Sequence, residues 1–494
     1  MELKQIKSLN QRIYELDTEI NRNSKTIFIA MLIFILKQNT DFQNVNKLTT
    51  LINFADEKTR PIDQLINLAK EGIEKLNLLP KTKDAIHDSL RTISGVNTKL
   101  DSNRKDFKKF VEDFISKDFP LIKPSDLFFE TLYMEIDKKA KTGDDGIVLT
   151  PQFAAQLMID LAEIDYKKDI VADLCSGTGL FTLLAYSKML TDMDEDLKNG
   201  NITQNEYNQY QKKLYNSIIA NDIDSKMVTL CLANFLLKSL NCSLLFNEDV
   251  LKIEKSSFKI KDNDKEETIQ PTKAILNPPY EDKYKPLEIV EKNISLISGN
   301  SQTGTKVVVI IPPQKFGQKK DIFSKILNIA TLESVIKMQD DLFTDSGKSQ
   351  PASIFVFNVD KPHSADDKIR YYNFTDTGYI YLKDSGLVDK NHTYEKKKKE
   401  LLEKMKNEAT ETTKSDFIRN WNNFYEVNKE LEIVTQIDPN RIKTDKEEAD
   451  ITLENITIKK MLAEKQKLID EAGNNFKDED GSFEKYIVNI LSED

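Results

Sequence analysis

The sequence is poor in the residues that build metal centres and disulfide frameworks. Its three cysteines, Cys175, Cys231 and Cys242, are too few and too irregularly spaced for a disulfide scaffold or a zinc ribbon. The three histidines, His87, His363 and His392, lie far apart, so neither a metal site nor a Ser-His-Asp triad is expected. Long apolar runs are missing too. The longest, Ile27 to Leu36 (IFIAMLIFIL), has ten residues, against the roughly 20 that a membrane span needs, and reads as a buried core helix. No basic stretch with a following apolar segment and small-residue cleavage site opens the chain, which makes a cytoplasmic protein without membrane contact the expectation. Excess basic charge is also lacking: 71 Lys and Arg against 81 Asp and Glu give a net charge of −10. A chain that held nucleic acid alone would normally show a basic face, because phosphate neutralisation supplies most of the affinity. This balance therefore points to a partner for any such role.

What is present falls into three parts. Residues 1 to about 118 contain almost no glycine and place apolar residues three and four apart, the spacing of helices. The segment DFPLIKPSD, with Pro120 and Pro124, marks a junction. A further helical stretch, FFETLYMEIDKKAK, runs into the turn-forming TGDDG. From residue 147 onward strands and helices alternate, which predicts an α/β, doubly wound open sheet. Strands are expected at 170–174, 217–222, 243–249, 273–277, 306–312, 333–338 and 352–358, with a helical-hairpin insertion from Ser187 to Tyr215 and a small β excursion over 368–382. After His392 the chain is charged and helical in pattern, and the lysine run Lys396 to Lys399, flanked by Glu395, Glu400 and Glu403, reads as a solvated helix face. The expected divisions are a helical domain at 1–124, a catalytic domain at 125–392 and a helical, partner-binding region at 393–494.

Four strand ends carry the chemistry. VADLCSGTGLF (171–181) places Asp173 and then Gly177-Thr178-Gly179 between a strand and a helix, where glycines let the backbone approach a ligand and the helix start offers N–H groups to a carboxylate. The third glycine of a dinucleotide fingerprint is absent, Thr182 standing in its place, and there is no Gly-Lys-Ser/Thr phosphate loop. The second strand ends at Asp222, where doubly wound folds set an acid against ribose hydroxyls; a turn or capping aspartate is the alternative. The third ends at Asp249, placed to accept from the exocyclic amine of an adenine. The fourth delivers Asn277-Pro278-Pro279-Tyr280. An exocyclic amine on a nucleobase is a poor nucleophile, because its lone pair is delocalised into the ring. Acceptors aimed at its N–H bonds favour a more pyramidal nitrogen. Asn277 offers a side-chain carbonyl and Pro278 a backbone carbonyl, and the fixed φ of consecutive prolines holds both. Tyr280 offers a flat face for an extruded base, and placed dipoles would do most of the catalysis.

These residues, in this order, resemble the N6-adenine DNA methyltransferases that use S-adenosylmethionine, specifically the modification subunit of type I restriction-modification systems. The order of Thr-Pro segment, glycine bend and Asn-Pro-Pro-Tyr resembles the gamma class of amino-methyltransferases. GIVLTPQFAAQLM (146–158) is similar to the family's Thr-Pro segment, and VIKMQDDLF…PASIFVF to its later region, where an aromatic, here Phe343, lies near the target base. The resemblance implies a Rossmann-like catalytic sheet. It implies S-adenosylmethionine held by Thr150, Pro151, Asp173, Ser176, Gly177, Thr178, Gly179, Asp222, Ile223, Asp249 and Asn277. The target amine would be served by Asn277, Pro278, Pro279, Tyr280 and Phe343. Double-stranded DNA is the implied substrate, with a separate specificity subunit and a restriction or translocase subunit as partners. Many modification subunits read Asp-Pro-x-Cys-Gly at the bend, where this chain has Asp173-Leu174-Cys175-Ser176-Gly177; both key glycines remain.

Two other readings use the same residues. Asn-Pro-Pro-Tyr also occurs in methyltransferases that modify protein glutamine, against which the long helical block and the C-terminal extension argue. A scaffold that kept the fold and lost the chemistry is opposed by the intact Asn277 to Tyr280.

Overall fold

The computed structural model describes residues 1, 3–16, 22–54, 59–94, 103–123, 127–137, 149–240, 242–262, 265–300, 302–343, 351–364, 367, 369–382 and 386–407. The expected turn at 142–146 and the charged region beyond residue 407 lie outside them.

The strands are β1 (Val171–Asp173), β2 (Ile218–Asn221), β3 (Leu245–Phe246), β4 (Lys259–Asp262), β5 (Lys265–Thr268), β6 (Lys273–Leu276), β7 (Lys306–Ile311), β8 (Thr331–Met338), β9 (Ser353–Asn358) and β10 (Arg370–Phe374). Eight of them form one sheet in the order β10-β8-β9-β7-β6-β1-β2-β3. β9 runs antiparallel to β7 and β8, and every other pair is parallel. Helices cover the interior strands, so KVVVII of β7 is buried along its whole length, as a central parallel strand must be. The chain leaves β1 toward β2 and β3, then returns to β6 on the other side. That reversal opens a crevice at the carboxyl ends of β1 and β6.

The apolar run Ile27 to Leu36 lies in the helix Arg22–Gln38, and each of its residues is at most 2% exposed. A helix apolar on every side needs neighbours on every side. Here these are Pro61–Glu74 and Pro80–Ser94 from its own region and Ser225–Lys238 from the sheet region. Ser225–Lys238 is itself buried from Met227 to Leu237. Pro80–Ser94 also covers the short edge strand β3, where the Thr82 hydroxyl donates to the Leu245 carbonyl at 3.2 Å. Met1–Glu411 accordingly forms one compact unit.

Several expected elements differ in extent. The strand expected at 243–249 is only Leu245–Phe246. Beyond it the Asn247 amide donates to the Asp222 and Ile223 carbonyls, and Asp249 accepts from Leu251 N, so side chains replace ladder bonds. β4 and β5 form an antiparallel hairpin that the polar sequence did not announce. The excursion at 368–382 divides: β10 joins the main sheet parallel to β8, while β11 (Ile380–Leu382) pairs with β12 (Gly386–Val388). The insertion after β1 is a helical hairpin, Leu180–Lys198 and Gln204–Leu214, whose second helix starts with a Thr203/Glu206 capping box. The lysine run lies on the helix Tyr394–Asn407 but is not all solvated. Lys397 pairs with Asp376, and Lys398, its side chain 12% exposed, with Asp160 at 3.1 Å. No described helix is long and apolar enough to cross a membrane.

Candidate active site

The crevice holds a cavity of about 690 Å³. Its floor is the glycine bend. Gly177 has φ +52° and nothing within 4 Å of where a Cβ would stand, so its bare backbone faces open space. Gly179, at φ +98°, serves packing: a Cβ there would lie 2.9 Å from Cys231 Sγ. Of the expected cofactor residues, Thr150, Pro151, Ser176, Gly177, Thr178, Asp222, Ile223, Asp249 and Asn277 line the cavity, whereas Asp173 and Gly179 do not. Asp173 is 1% exposed behind the wall, where its Oδ1 accepts Cys175 N at 3.1 Å. Burial holds its carboxyl well above the usual range. Asp173 and Gly179, expected to frame the ligand, stand behind the cavity wall in this structure, where they shape the bend.

Asp222 both builds the turn and faces the cavity. Its Oδ2 accepts Gly177 N at 2.8 Å and its Oδ1 accepts Asp224 N at 2.9 Å, which ties the second strand end to the bend. Desolvation pushes its pKa up to about 6, with those backbone N–H groups pulling the other way. Beside it Ile223 is 71% exposed, a bare apolar side chain at a cavity wall. Asp249 caps the short turn Val250–Lys252 through Leu251 N.

Asn277 stands at the end of β6, and its Nδ2 donates to Thr150 Oγ1 at 3.0 Å. Thr150 precedes Pro151, whose extended φ, ψ starts the helix Gln152–Leu161. The Thr-Pro segment and the Asn-Pro-Pro segment are thus joined by a direct hydrogen bond, and Pro278 and Pro279 continue the cavity wall. Tyr280 departs from expectation. It is 5% exposed and does not line the cavity; its hydroxyl reaches the Ile310 carbonyl at 3.4 Å, and its ring packs edge-on to Phe343 at 5.8 Å. Phe343 is 1% exposed. Both rings are buried, so in this conformation neither presents a free face to a base.

The sequence reading missed the residues that come from outside the sheet. Glu130 lies on the helix Phe128–Asp137, lines the cavity and accepts the Thr178 hydroxyl. Its signal was a charge set within a stretch whose Phe128, Phe129, Leu132, Tyr133 and Ile136 are all buried. Phe153 and Tyr379 also line the cavity, stacked at 3.9 Å with planes 11° apart. Tyr394 packs edge-on to both and donates to the Phe153 carbonyl.

A family model described as N-6 DNA Methylase matches residues 128–433. Among curated proteins, the Type II restriction enzyme and methyltransferase RM.BcgI of Heyndrickxia coagulans is 28% identical over 254 residues, covering 49% of this chain and 36% of that one. The chain therefore spans about a third of the length of that relative. Among solved structures, a modification subunit assigned to a type I restriction enzyme of Vibrio vulnificus YJ016 superposes with a TM-score of 0.55 at 18% identity, covering 82% of this chain and 89% of that one. A type I R-M system structure superposes at 0.52 with 13% identity, covering 90% and 98%. At these identities the structural likeness establishes the fold.

Proposed function

The chain belongs to the N-6 DNA methylase family, and from that premise we propose that it is the modification subunit of a restriction-modification system, methylating adenine N6 in double-stranded DNA from S-adenosylmethionine. The observation that carries the reading is the joining of Asn277 to Thr150 across the cavity whose floor is the Gly177 bend. The cavity fits the cofactor: a bare backbone at Gly177, an acid at Asp222 for ribose hydroxyls and an exposed apolar face at Ile223 for a purine ring. When bound, S-adenosylmethionine supplies a methyl carbon on a sulfonium.

The chain's own residues then do the rest. The Asn277 amide nitrogen donates to Thr150, which supports an acceptor role for its carbonyl oxygen. That oxygen and the Pro278 carbonyl accept from the two N–H bonds of the adenine amine and raise the localisation of its lone pair. The amine so held would take up the methyl that bound S-adenosylmethionine would supply, and its surplus proton would pass to solvent. Tyr280 stacks on the base only after Phe343 leaves its ring, so base entry is coupled to opening of that pair. A specificity subunit supplies the basic surface that a net charge of −10 does not, and a restriction or translocase subunit completes the assembly. Functionally, 1–124 supports the site, 125–392 carries it, and 393–494 meets the partner.

Labelled methyl transfer by the full chain with its partner tests this. Label is expected in DNA adenine and not in protein glutamine. Label in glutamine, or in neither acceptor while the cofactor binds, contradicts it.

A further inference from the structure

The chemistry above leaves unused a buried acid on the cavity wall, Glu130, whose pKa burial raises. Glu130 is 7% exposed yet lines the same cavity as Gly177 and Asn277, and it comes from the helical layer rather than the sheet. Its Oε1 accepts the Thr178 hydroxyl. Its Oε2 meets no donor in hydrogen-bond geometry among the described residues, although the neighbouring Asn234 amide, which donates to the Thr178 carbonyl at 2.9 Å, interacts with the carboxyl. A buried carboxylate oxygen left in that state is costly unless a donor or a cation arrives.

No described donor lies in hydrogen-bond geometry with Oε2. Lys238, whose charge reaches Glu130, donates to Ser187 Oγ at 3.1 Å. Among the described residues no group of His, Cys, Asp and Glu could hold a metal ion. The missing cation therefore belongs to the ligand. S-adenosylmethionine carries two, a sulfonium and an α-ammonium. Only the ammonium brings N–H donors, and only a donor satisfies Oε2. Asp173, the acid at the end of β1, sits behind the wall with Oδ1 committed to Cys175 N.

We infer that Glu130 binds the α-ammonium of S-adenosylmethionine, so that the helix Phe128–Asp137 supplies one wall of the cofactor site. This rests on the functional reading above, and the test separates the two. Calorimetry on the full chain compares S-adenosylhomocysteine, which keeps the ammonium, with 5′-methylthioadenosine, which lacks the amino-acid part. Glu130→Gln is expected to weaken S-adenosylhomocysteine about 10- to 100-fold and 5′-methylthioadenosine less than about twofold, as loss of one charge-assisted hydrogen bond requires. In the wild type, removing the amino group from S-adenosylhomocysteine should cost the same factor, a comparison that needs no variant. Equal weakening of both nucleosides by Glu130→Gln, or none, overturns the inference and leaves the function standing. A wild type that binds neither nucleoside overturns the function, and this inference with it.

Discussion

Single residues do distinct work in a small space. Asp222 holds the bend through Gly177 N and faces the cavity, and its pKa is pushed up to about 6. A carboxyl that binds its proton more tightly folded than unfolded contributes stability fully below the usual value of 3.8 and loses that contribution as pH rises through about 6. Ribose hydroxyls want the carboxylate, so cofactor affinity runs the other way: it should fall as pH drops through about 6, and Asp222→Asn should flatten that dependence in calorimetry at pH 5 and 7.5. Gly179 is a packing glycine, and Gly179→Ala is expected to cost about 1–3 kcal/mol in urea unfolding through strained φ and contact with Cys231 Sγ. A variant as stable as the wild type would contradict this. The bend, Asp222 and Asn277 were legible because each follows an apolar strand with its own local signature. Tyr280 was read as a face for the base and Phe343, by resemblance, as an aromatic near it, but their contact was not legible, since it depends on packing between segments far apart in sequence. Glu130 was hidden because helical periodicity says which face is buried and not what that face meets.

At the scale of elements, the β1–β6 crossover places the site, and strand ends near it were read to within a residue or two because their apolar runs end in glycine, proline or acid. Elements at the margins were not. β3 is short because Asn247 and Asp249 divert the backbone, and β10 joins the sheet through pairing with β8 that no local pattern encodes. The helix Tyr394–Asn407 was read as a tail, yet Tyr394, 4% exposed, donates to the Phe153 carbonyl, and Lys398 pairs with Asp160. Both partners lie on the helix that Thr150 and Pro151 introduce. Tyr394→Phe removes a buried hydrogen bond to a helix carbonyl and is expected to cost about 1 kcal/mol by denaturant unfolding. It should also weaken S-adenosylhomocysteine severalfold, while unchanged stability and binding would show that this helix does not support the site. A chain cut after residue 392 loses these contacts altogether and should bind the cofactor poorly.

For the whole molecule, the helical layer and the sheet share one core through the helices Arg22–Gln38 and Ser225–Lys238, so residues on both sides of a sequence division at 124 pack into the same compact unit. On the proposed function the acidic balance leaves DNA binding to a partner, so salt-sensitive DNA binding is expected only with the partner present. Mass spectrometry of nucleosides from cells expressing the chain together with its specificity partner tests the central claim most directly. The wild type should yield N6-methyldeoxyadenosine, and Asn277→Ala, which removes the acceptor pinned by Thr150, should lower it by about 100-fold or more. Equal N6-methyldeoxyadenosine from both, or none from the wild type, would contradict the account.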